Sequence, residues 1–198
     1  MSDVPLPLVP SLPGWFEAAF DREGKLVRAL DELGPLADRD VLLIGVVPAW
    51  LTDRLVATGA RVQGTDDAAA VAPAAADVAI GAWSSFRGID PEELADAQRG
   101  LGPGGRLLIV HDYGRDDIAT LTGDRPESST WSRRGGPFTA AGFKIRVVHC
   151  FWTFDSLDDA ASFLSAAFGE AGAESAASLR RARLSHNIAI YHRTAGAG

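Results

Sequence analysis

The sequence contains one cysteine, Cys150, among 198 residues. A single thiol cannot form an intrachain disulfide, so stability cannot depend on a disulfide framework, and a reducing, cytoplasmic location is predicted. Long hydrophobic segments are also missing. Because no run of about 18 apolar residues occurs, we expect no membrane-spanning helix.

Several motifs that would identify an enzyme class are absent. The chain has no G-x-S-x-G, no G-x-x-x-x-G-K followed by Ser or Thr, and no G-x-G-x-x-G. Serine hydrolases, P-loop proteins and standard dinucleotide-binding folds therefore lose their main support. A metal site is not expected either, because the polar group His111, Asp112, Asp116 and Asp117 has no second histidine or spaced Cys/His set.

The sequence has fewer basic than acidic residues. The 19 Lys and Arg residues against 26 Asp and Glu residues give a formal net charge of -7. Such a surface repels a polyphosphate, so we expect no nucleic-acid partner. The one basic cluster, formed by Arg180, Arg181, Arg183 and His186, is interpreted as the solvated end of a helix.

The chain length and a hydrophobic content of 46% fit one soluble domain. Residues 1–13 carry prolines at positions 5, 7, 10 and 13 and no basic region before an apolar one. We expect an extended arm there and not a secretory signal. The domain should then span residues 14–193, and residues 194–198 should form a disordered tail.

Hydrophobic patterning predicts alternating strands and helices, which is typical of an α/β fold. Helical spacing begins at Trp15 and resumes at Leu26, with a break between Asp21 and Gly24. Residues 113–136 are polar and are expected to form one or two short helical pieces in a mobile loop. Further helices are predicted at 49–58, 91–100, 157–168 and 174–183, and strands at 41–44, 60–64, 78–82, 107–110, 143–154 and 187–191.

One connection is too short for the regular alternation. Only an alanine-rich segment, residues 68–76, interrupted by Pro73, separates Asp67 from Asp77, which directly precedes the predicted strand at Val78. A βαβ crossover needs at least about 10 to 12 residues by itself, so one βα unit is lacking or shortened.

The segment Leu101-Gly-Pro-Gly-Gly-Arg-Leu-Leu-Ile-Val-His-Asp112 closes a helix, stops it with glycine and proline, and continues as an apolar strand. It resembles the fifth strand and its approach in class I S-adenosylmethionine-dependent methyltransferases. This resemblance implies a three-layer Rossmann-like fold, with a mostly parallel sheet and an antiparallel C-terminal strand. It also implies S-adenosylmethionine as the cofactor.

The resemblance extends to the acid that binds the cofactor ribose. Gly64-Thr65-Asp66 is similar to the family's G-x-D at the end of the second strand, and Gly45 precedes Asp66 by 21 positions, close to the family spacing. Asp66 would accept hydrogen bonds from the ribose hydroxyls. The alternative is that Asp66 is a turn former or helix cap.

The glycine turn departs from the family. Of the family's acid and three glycines, this chain keeps only Gly45, because Leu43, Val47 and Ala49 stand at the other positions. We expect the side chain of Val47 to project where cofactor should approach, and Pro48 removes a backbone donor. The resemblance still places Gly45, Val46 and Val47 at the cofactor.

Other positions at strand ends are candidates for the site. The resemblance assigns Gly81, Ala82, Trp83 and Asp112 to the cofactor, although Trp83 could instead be a packing residue. His111 is a candidate general base near the methyl acceptor, or a histidine satisfied by neighbouring backbone. Two further candidates are Arg133 with Arg134, for an anionic acceptor or a solvated loop, and the strand residues 151–154, for an acceptor pocket or core packing.

Two functional hypotheses follow. The first is a methyltransferase-like protein that transfers a methyl group to a small-molecule acceptor. The second is a catalytically inactive relative that serves as a binding or assembly module for a protein partner. The altered turn at 46–48 and the shortened segment at 68–76 favour the second.

Overall fold

The computed structural model describes residues 15–123 and 130–196. Its strands form one six-stranded sheet. They are β1 (Asp40–Ile44), β2 (Arg61–Thr65), β3 (Ala76–Ala82), β4 (Leu101–Asp112), β5 (Lys144–Thr153) and β6 (Arg183–Thr194). All six predicted strands are confirmed. The predicted arm at 1–13 lies outside the described residues.

The helices are α1 (Trp15–Ala19), α2 (Lys25–Leu33), α3 (Ala49–Val56), α4 (Pro91–Gly100), α5 (Asp117–Thr122), α6 (Pro137–Ala140) and α7 (Leu157–Ser178). The predicted N-caps of two helices are confirmed: Asp90 accepts from Glu92 and Glu93 N–H groups, and Ser156 accepts from the Asp159 N–H. No helix of the described residues has the length and apolar character needed to span a membrane.

The strands lie in the spatial order β2-β1-β3-β4-β6-β5. Strands β1 to β4 pair in parallel, whereas β6 pairs antiparallel with both β4 and β5. This confirms a mostly parallel sheet with an antiparallel C-terminal strand. Between β2 and β3 the chain forms only a 3-10 turn, Ala68–Ala70, so one βα unit is missing as predicted.

Helices cover both faces of the sheet, which gives three layers. On β1, Val41 and Leu43 belong to one buried apolar cluster and Leu42 and Ile44 to the other. Strand positions alternate between faces, so this apolar run is buried on both sides. Helices α1, α2, α3, α5 and α7 contribute to the first cluster, and α4 and α6 to the second.

The C-terminal part differs from the predicted boundaries. Helix α7 is broken at Gly169, directly after the predicted helix end at Phe168, and a second helical stretch follows as predicted. This stretch starts earlier than expected and ends at Ser178, not at Arg183. Arg183 instead opens β6, where its guanidinium lies 4.6 Å from the ring centre of Phe151. Strand β6 extends to Thr194, which pairs with Arg106, while the last two residues, Ala197 and Gly198, lie outside the described residues.

Candidate functional site

The carboxyl ends of the four parallel strands lie along one edge of the sheet, which we call the rim. Ile44 is aligned with Thr65 on one side and Gly81 on the other, and Ala82 is aligned with Val110. Gly45, Asp66, Trp83 and Asp112 therefore follow along this edge. In open α/β sheets ligands bind outside the carboxyl ends of the strands, where the strand order reverses.

Asp66 presents an exposed carboxylate at the rim, and the structure gives it no hydrogen bond to any described residue. The neighbouring residues make the turn instead. Asp67 Oδ1 accepts from the Ala69 N–H at 2.8 Å, and Thr65 Oγ1 donates to the Asp67 carbonyl at 2.8 Å. Asp67 is thus the cap of the 3-10 turn, and the carboxylate of Asp66 is available to a ligand.

The turn after β1 places Gly45 in a left-handed conformation with φ 80°. Val46 projects into solvent with 61% of its surface exposed, while Val47 packs against the first core cluster. The expectation that Val47 lies where cofactor should approach stays a prediction, and Val46 is the more exposed of the two valines. Pro48 starts α3 without a side-chain cap and has no N–H to offer.

Two serines bridge the crevice between β1 and β3. Ser84 Oγ donates to the Val46 carbonyl at 3.0 Å, and buried Ser85 Oγ donates to the Ile44 carbonyl at 2.9 Å. The space over Gly45 is narrow as a result. A Cβ atom placed on Gly45 would lie 2.6 Å from Ser84 Oγ.

The segment after β3 is strained. Trp83 and Phe86 adopt left-handed backbone conformations, with φ 53° and φ 52°. Non-glycine residues in this region cost roughly 1–2 kcal/mol each, so neighbouring contacts must hold them. Glu93 provides one such contact, because its Oε1 accepts from the Phe86 N–H at 2.9 Å. Burial raises the pKa of the Glu93 carboxyl.

A hydrogen-bonded chain of side chains lies at the end of β4. Asp112 Oδ1 accepts from Trp83 Nε1 at 2.9 Å and from His186 Nε2 at 3.1 Å. Trp152 Nε1 donates to His186 Nδ1 at 3.0 Å. Because an indole can only donate, Nδ1 accepts and the proton lies on Nε2. The Asp112 side chain is 20% exposed and His186 is buried. These hydrogen bonds therefore fix the position of a carboxylate that still reaches the surface.

His111 lies on the other face of β4. Its Nε2 is 2.9 Å from the Phe86 carbonyl, and its ring centre is 4.7 Å from that of Trp131. With 2% of its surface exposed, it has the backbone-bonded, buried environment of the structural alternative. The burial of His111 among side chains of the second core cluster argues against a role as general base.

The remaining candidates have structural contacts. Gly81 and Ala82 are buried, and Gly81 lies against the Phe86 ring. Arg133 and Arg134 are exposed. Trp152 on β5 and Phe154, directly after this strand, are buried in the first core cluster, in agreement with core packing.

The acidic residues after β4 anchor α5. Asp116 accepts from the N–H groups of Ala119 and Asn187, and Asp117 exchanges hydrogen bonds with Ser185. Within 15–123 and 130–196, no three potential metal-ligating side chains come together.

Sequence reasoning missed Ser84, Ser85 and the role of His186. Two consecutive serines, one residue after the end of a predicted strand, are the signal that could have identified them. No sequence signal shows that β6 lies beside β4, and this pairing, Asp112 with Ile188, brings His186 to Asp112.

Comparison with solved structures identifies the fold. A candidate type II methyltransferase from Anaeromyxobacter dehalogenans matches with a TM-score of 0.51 and 18% sequence identity, covering 85% of this chain and 94% of its own. A SAM-dependent methyltransferase from Thiobacillus denitrificans, in complex with S-adenosyl-L-homocysteine, gives 0.48 and 17%, covering 88% and 93%. No protein-family profile and no curated protein matches the sequence. The chain has the Rossmann-like class I methyltransferase fold with one βα unit missing.

Proposed function

We propose that this protein is an S-adenosylmethionine-dependent methyltransferase that acts on a small-molecule acceptor. The observation that carries the proposal is the exposed Asp66 carboxylate, which has no partner among the described residues and lies at the end of the strand beside Gly45. A carboxylate in this position can accept hydrogen bonds from both hydroxyls of a ribose.

The residues at the rim fit the two ends of the cofactor differently. Asp66 suits the ribose, and the turn is provided by Thr65 and Asp67. The crevice beside Gly45 is narrower, because Ser84 bridges it to Val46. Ser84 is only half-buried, and a hydroxyl can exchange one acceptor for another, so its contact with Val46 would give way to the methionine part of the cofactor.

S-adenosylmethionine, when bound, supplies an activated methyl group. The chain would supply orientation and a proton acceptor. We assign the proton acceptor to Asp112 in preference to His111, because Asp112 reaches the surface at the rim and is held by Trp83 and His186. A small acceptor is favoured because the net charge of -7 would repel a nucleic acid.

The second candidate is a catalytically inactive relative that acts as a binding module. Its support is the pair of serine bridges across the β1–β3 crevice and the loss of a backbone donor at Pro48. A crevice closed in this way would leave the fold intact but would leave the site for the methyl donor empty.

Isothermal titration with S-adenosylmethionine and S-adenosylhomocysteine separates the two. The methyltransferase proposal expects saturable heat and a higher melting temperature, since a ligand of the native state raises its stability. Asp66→Asn should abolish the response. Asp53→Asn, an exposed carboxylate on α3 away from the rim, is the matched control and should leave it unchanged.

The absence of heat with either ligand would support the binding module. Binding that survives Asp66→Asn would show that Asp66 does not hold the ribose.

We also infer a cytoplasmic location, because the single thiol of Cys150 is fully buried and has no partner thiol in the chain.

A further inference from the structure

A groove lies between α5 and the last part of α7, close to the start of β6. It has a volume of about 390 Å³, within the range of small-molecule pockets. Leu121, Leu179 and Leu184 supply its apolar lining, and all three pack against the first core cluster. The groove therefore has a fixed hydrophobic floor.

Both walls of the groove are held in place. Asp117, at the start of α5, accepts from the backbone N–H and the hydroxyl of Ser185, each at 2.7 Å. On the opposite wall, α7 turns at Gly169 and returns so closely that a Cβ on Gly172 would lie 1.9 Å from the Leu164 carbonyl oxygen. The cavity is thus a preformed feature of the fold, and only glycine fits at position 172.

The charged side chains that line the groove are all acidic. Its ionisable side chains are the carboxylates of Asp117 and Glu174, and no Lys, Arg or His lines the groove among the described residues. Glu174 makes no ion pair or hydrogen bond with any residue in the described ranges. Thr120, Ser175 and Ser178 add hydroxyl groups.

An apolar floor beneath two carboxylates matches a ligand that has an apolar body and a cationic end. We propose that this groove binds a small organic amine in its ammonium form. The apolar part would lie on the leucines, and the ammonium would bind the carboxylates of Glu174 and Asp117. An anionic ligand would meet repulsion from both.

The position of the groove suggests what this amine does. Leu184 precedes His186 by two residues on β6, and His186 donates to Asp112 at the rim. If the proposed methyltransferase function holds, the amine is the acceptor class. That role rests on the proposed function, whereas amine binding does not.

Binding can be measured without any methyl donor. We would titrate the full-length protein with phenethylamine, 2-phenylethanol and 3-phenylpropionate, which share an aromatic body and differ in charge, and follow ¹H–¹⁵N correlation spectra. The proposal expects saturable shifts around residues 117–121, 171–179 and 184 with the amine. It expects weaker binding of the alcohol, the weakest binding of the acid, and weaker amine binding at higher salt.

Glu174→Gln should reduce the amine affinity about two- to fivefold, as expected for a partly exposed ion pair. Glu170→Gln, an exposed carboxylate on the same helix outside the groove, is the control and should change it little. Leu121→Trp should block the groove, and its spectrum reports whether the fold persists.

Equal affinity for amine and alcohol, or equal effects of the two glutamate variants, would overturn the assignment of a cation site. Shifts without saturation, or shifts that are confined to other regions, would overturn the groove as the site. Amine binding together with failure to bind S-adenosylmethionine would leave the groove in place and remove only the methyltransferase proposal.

Discussion

The indole N–H of Trp83 donates a 2.9 Å hydrogen bond to Asp112 Oδ1, which joins the residue after β3 to the last residue of β4. This bond crosses two neighbouring strand ends of the rim. It also explains how Trp83 keeps a left-handed backbone with φ 53° while its side chain is 1% exposed. The tryptophan is both a packing residue and the support of a carboxylate at the site.

Trp83→Phe should therefore destabilise the protein. The change keeps an aromatic ring but removes a donor to a charged group, which is worth about 1.5–3 kcal/mol of unfolding free energy. The control is Trp50→Phe, because Trp50 Nε1 is buried without a hydrogen-bond partner among the described residues. Urea unfolding followed by far-ultraviolet circular dichroism measures both. An equal loss in the two variants would contradict the importance of the Trp83–Asp112 bond.

Gly45→Ala should also lower the free energy of unfolding. The left-handed backbone alone costs roughly 1–2 kcal/mol for a non-glycine residue, and the new Cβ would lie 2.6 Å from Ser84 Oγ. Gly64→Ala is the control, because nothing lies within 4 Å of its Cβ position. In the double variant Gly45→Ala, Ser84→Ala, the steric part of the loss should be recovered. If Ser84→Ala gives no recovery, the narrow approach at the crevice is refuted.

Glu93→Gln should change the pH dependence of stability. Burial raises the pKa of Glu93 in the folded protein above the ordinary value of 4.5. Its contribution is thus fully present below pH 4.5 and is lost as pH rises through the folded-state pKa. Glutamine keeps an acceptor for the Phe86 N–H but does not ionise. The unfolding free energy of the variant minus that of the parent should increase as pH rises from about 4 to 7.

Chemical unfolding at several pH values tests this, with Glu92→Gln as the control. Glu92 lies in the same first turn of α4 but is exposed. If the Glu93→Gln difference is constant over the pH range, or if Glu92→Gln reproduces it, the raised pKa is refuted.

The thiol of Cys150 should not react with a disulfide reagent in the native protein. It is completely buried on β5, and burial raises its pKa, so the reactive thiolate is scarce at neutral pH. Because Cys150 is the only cysteine in the sequence, the absorbance change of the reagent reports the reaction of this one thiol. The reaction should accelerate with urea in step with unfolding. Rapid stoichiometric reaction in native buffer would contradict this burial.

Local signals predicted most of the elements. Asp90-Pro91 marks a helix start. Aspartate caps the free N–H groups, and proline at the first helical position loses no hydrogen bond, because an N–H there would have no partner within the helix. The run from Leu107 to Val110 predicts a strand buried on both faces, and the short segment at 68–76 predicts the missing unit. The predicted helix end at Phe168 agrees with the break at Gly169, but no local pattern marks Ser178 as the end of the second helical stretch or Arg183 as the start of β6, so these two boundaries are displaced.

The site was predicted less well. Asp66 could be placed at a strand end, but only the contacts of Thr65 and Asp67 show that its carboxylate is not used in the turn. Sequence reasoning favours His111 over His186 because His111 stands at the end of a parallel strand. The structure buries His111 on the second core cluster and joins His186 to Asp112.

The sequence by itself determined where strands and helices lie, that one βα unit is missing, and which residues end the parallel strands, because these depend on local patterning and chain length. Only the tertiary structure decided which side chains meet: the serine bridges over Gly45, the chain from Trp83 to His186, and the groove beside α7. Each of these joins residues that are far apart in sequence. Their contacts depend on strand order and register, which no local pattern encodes.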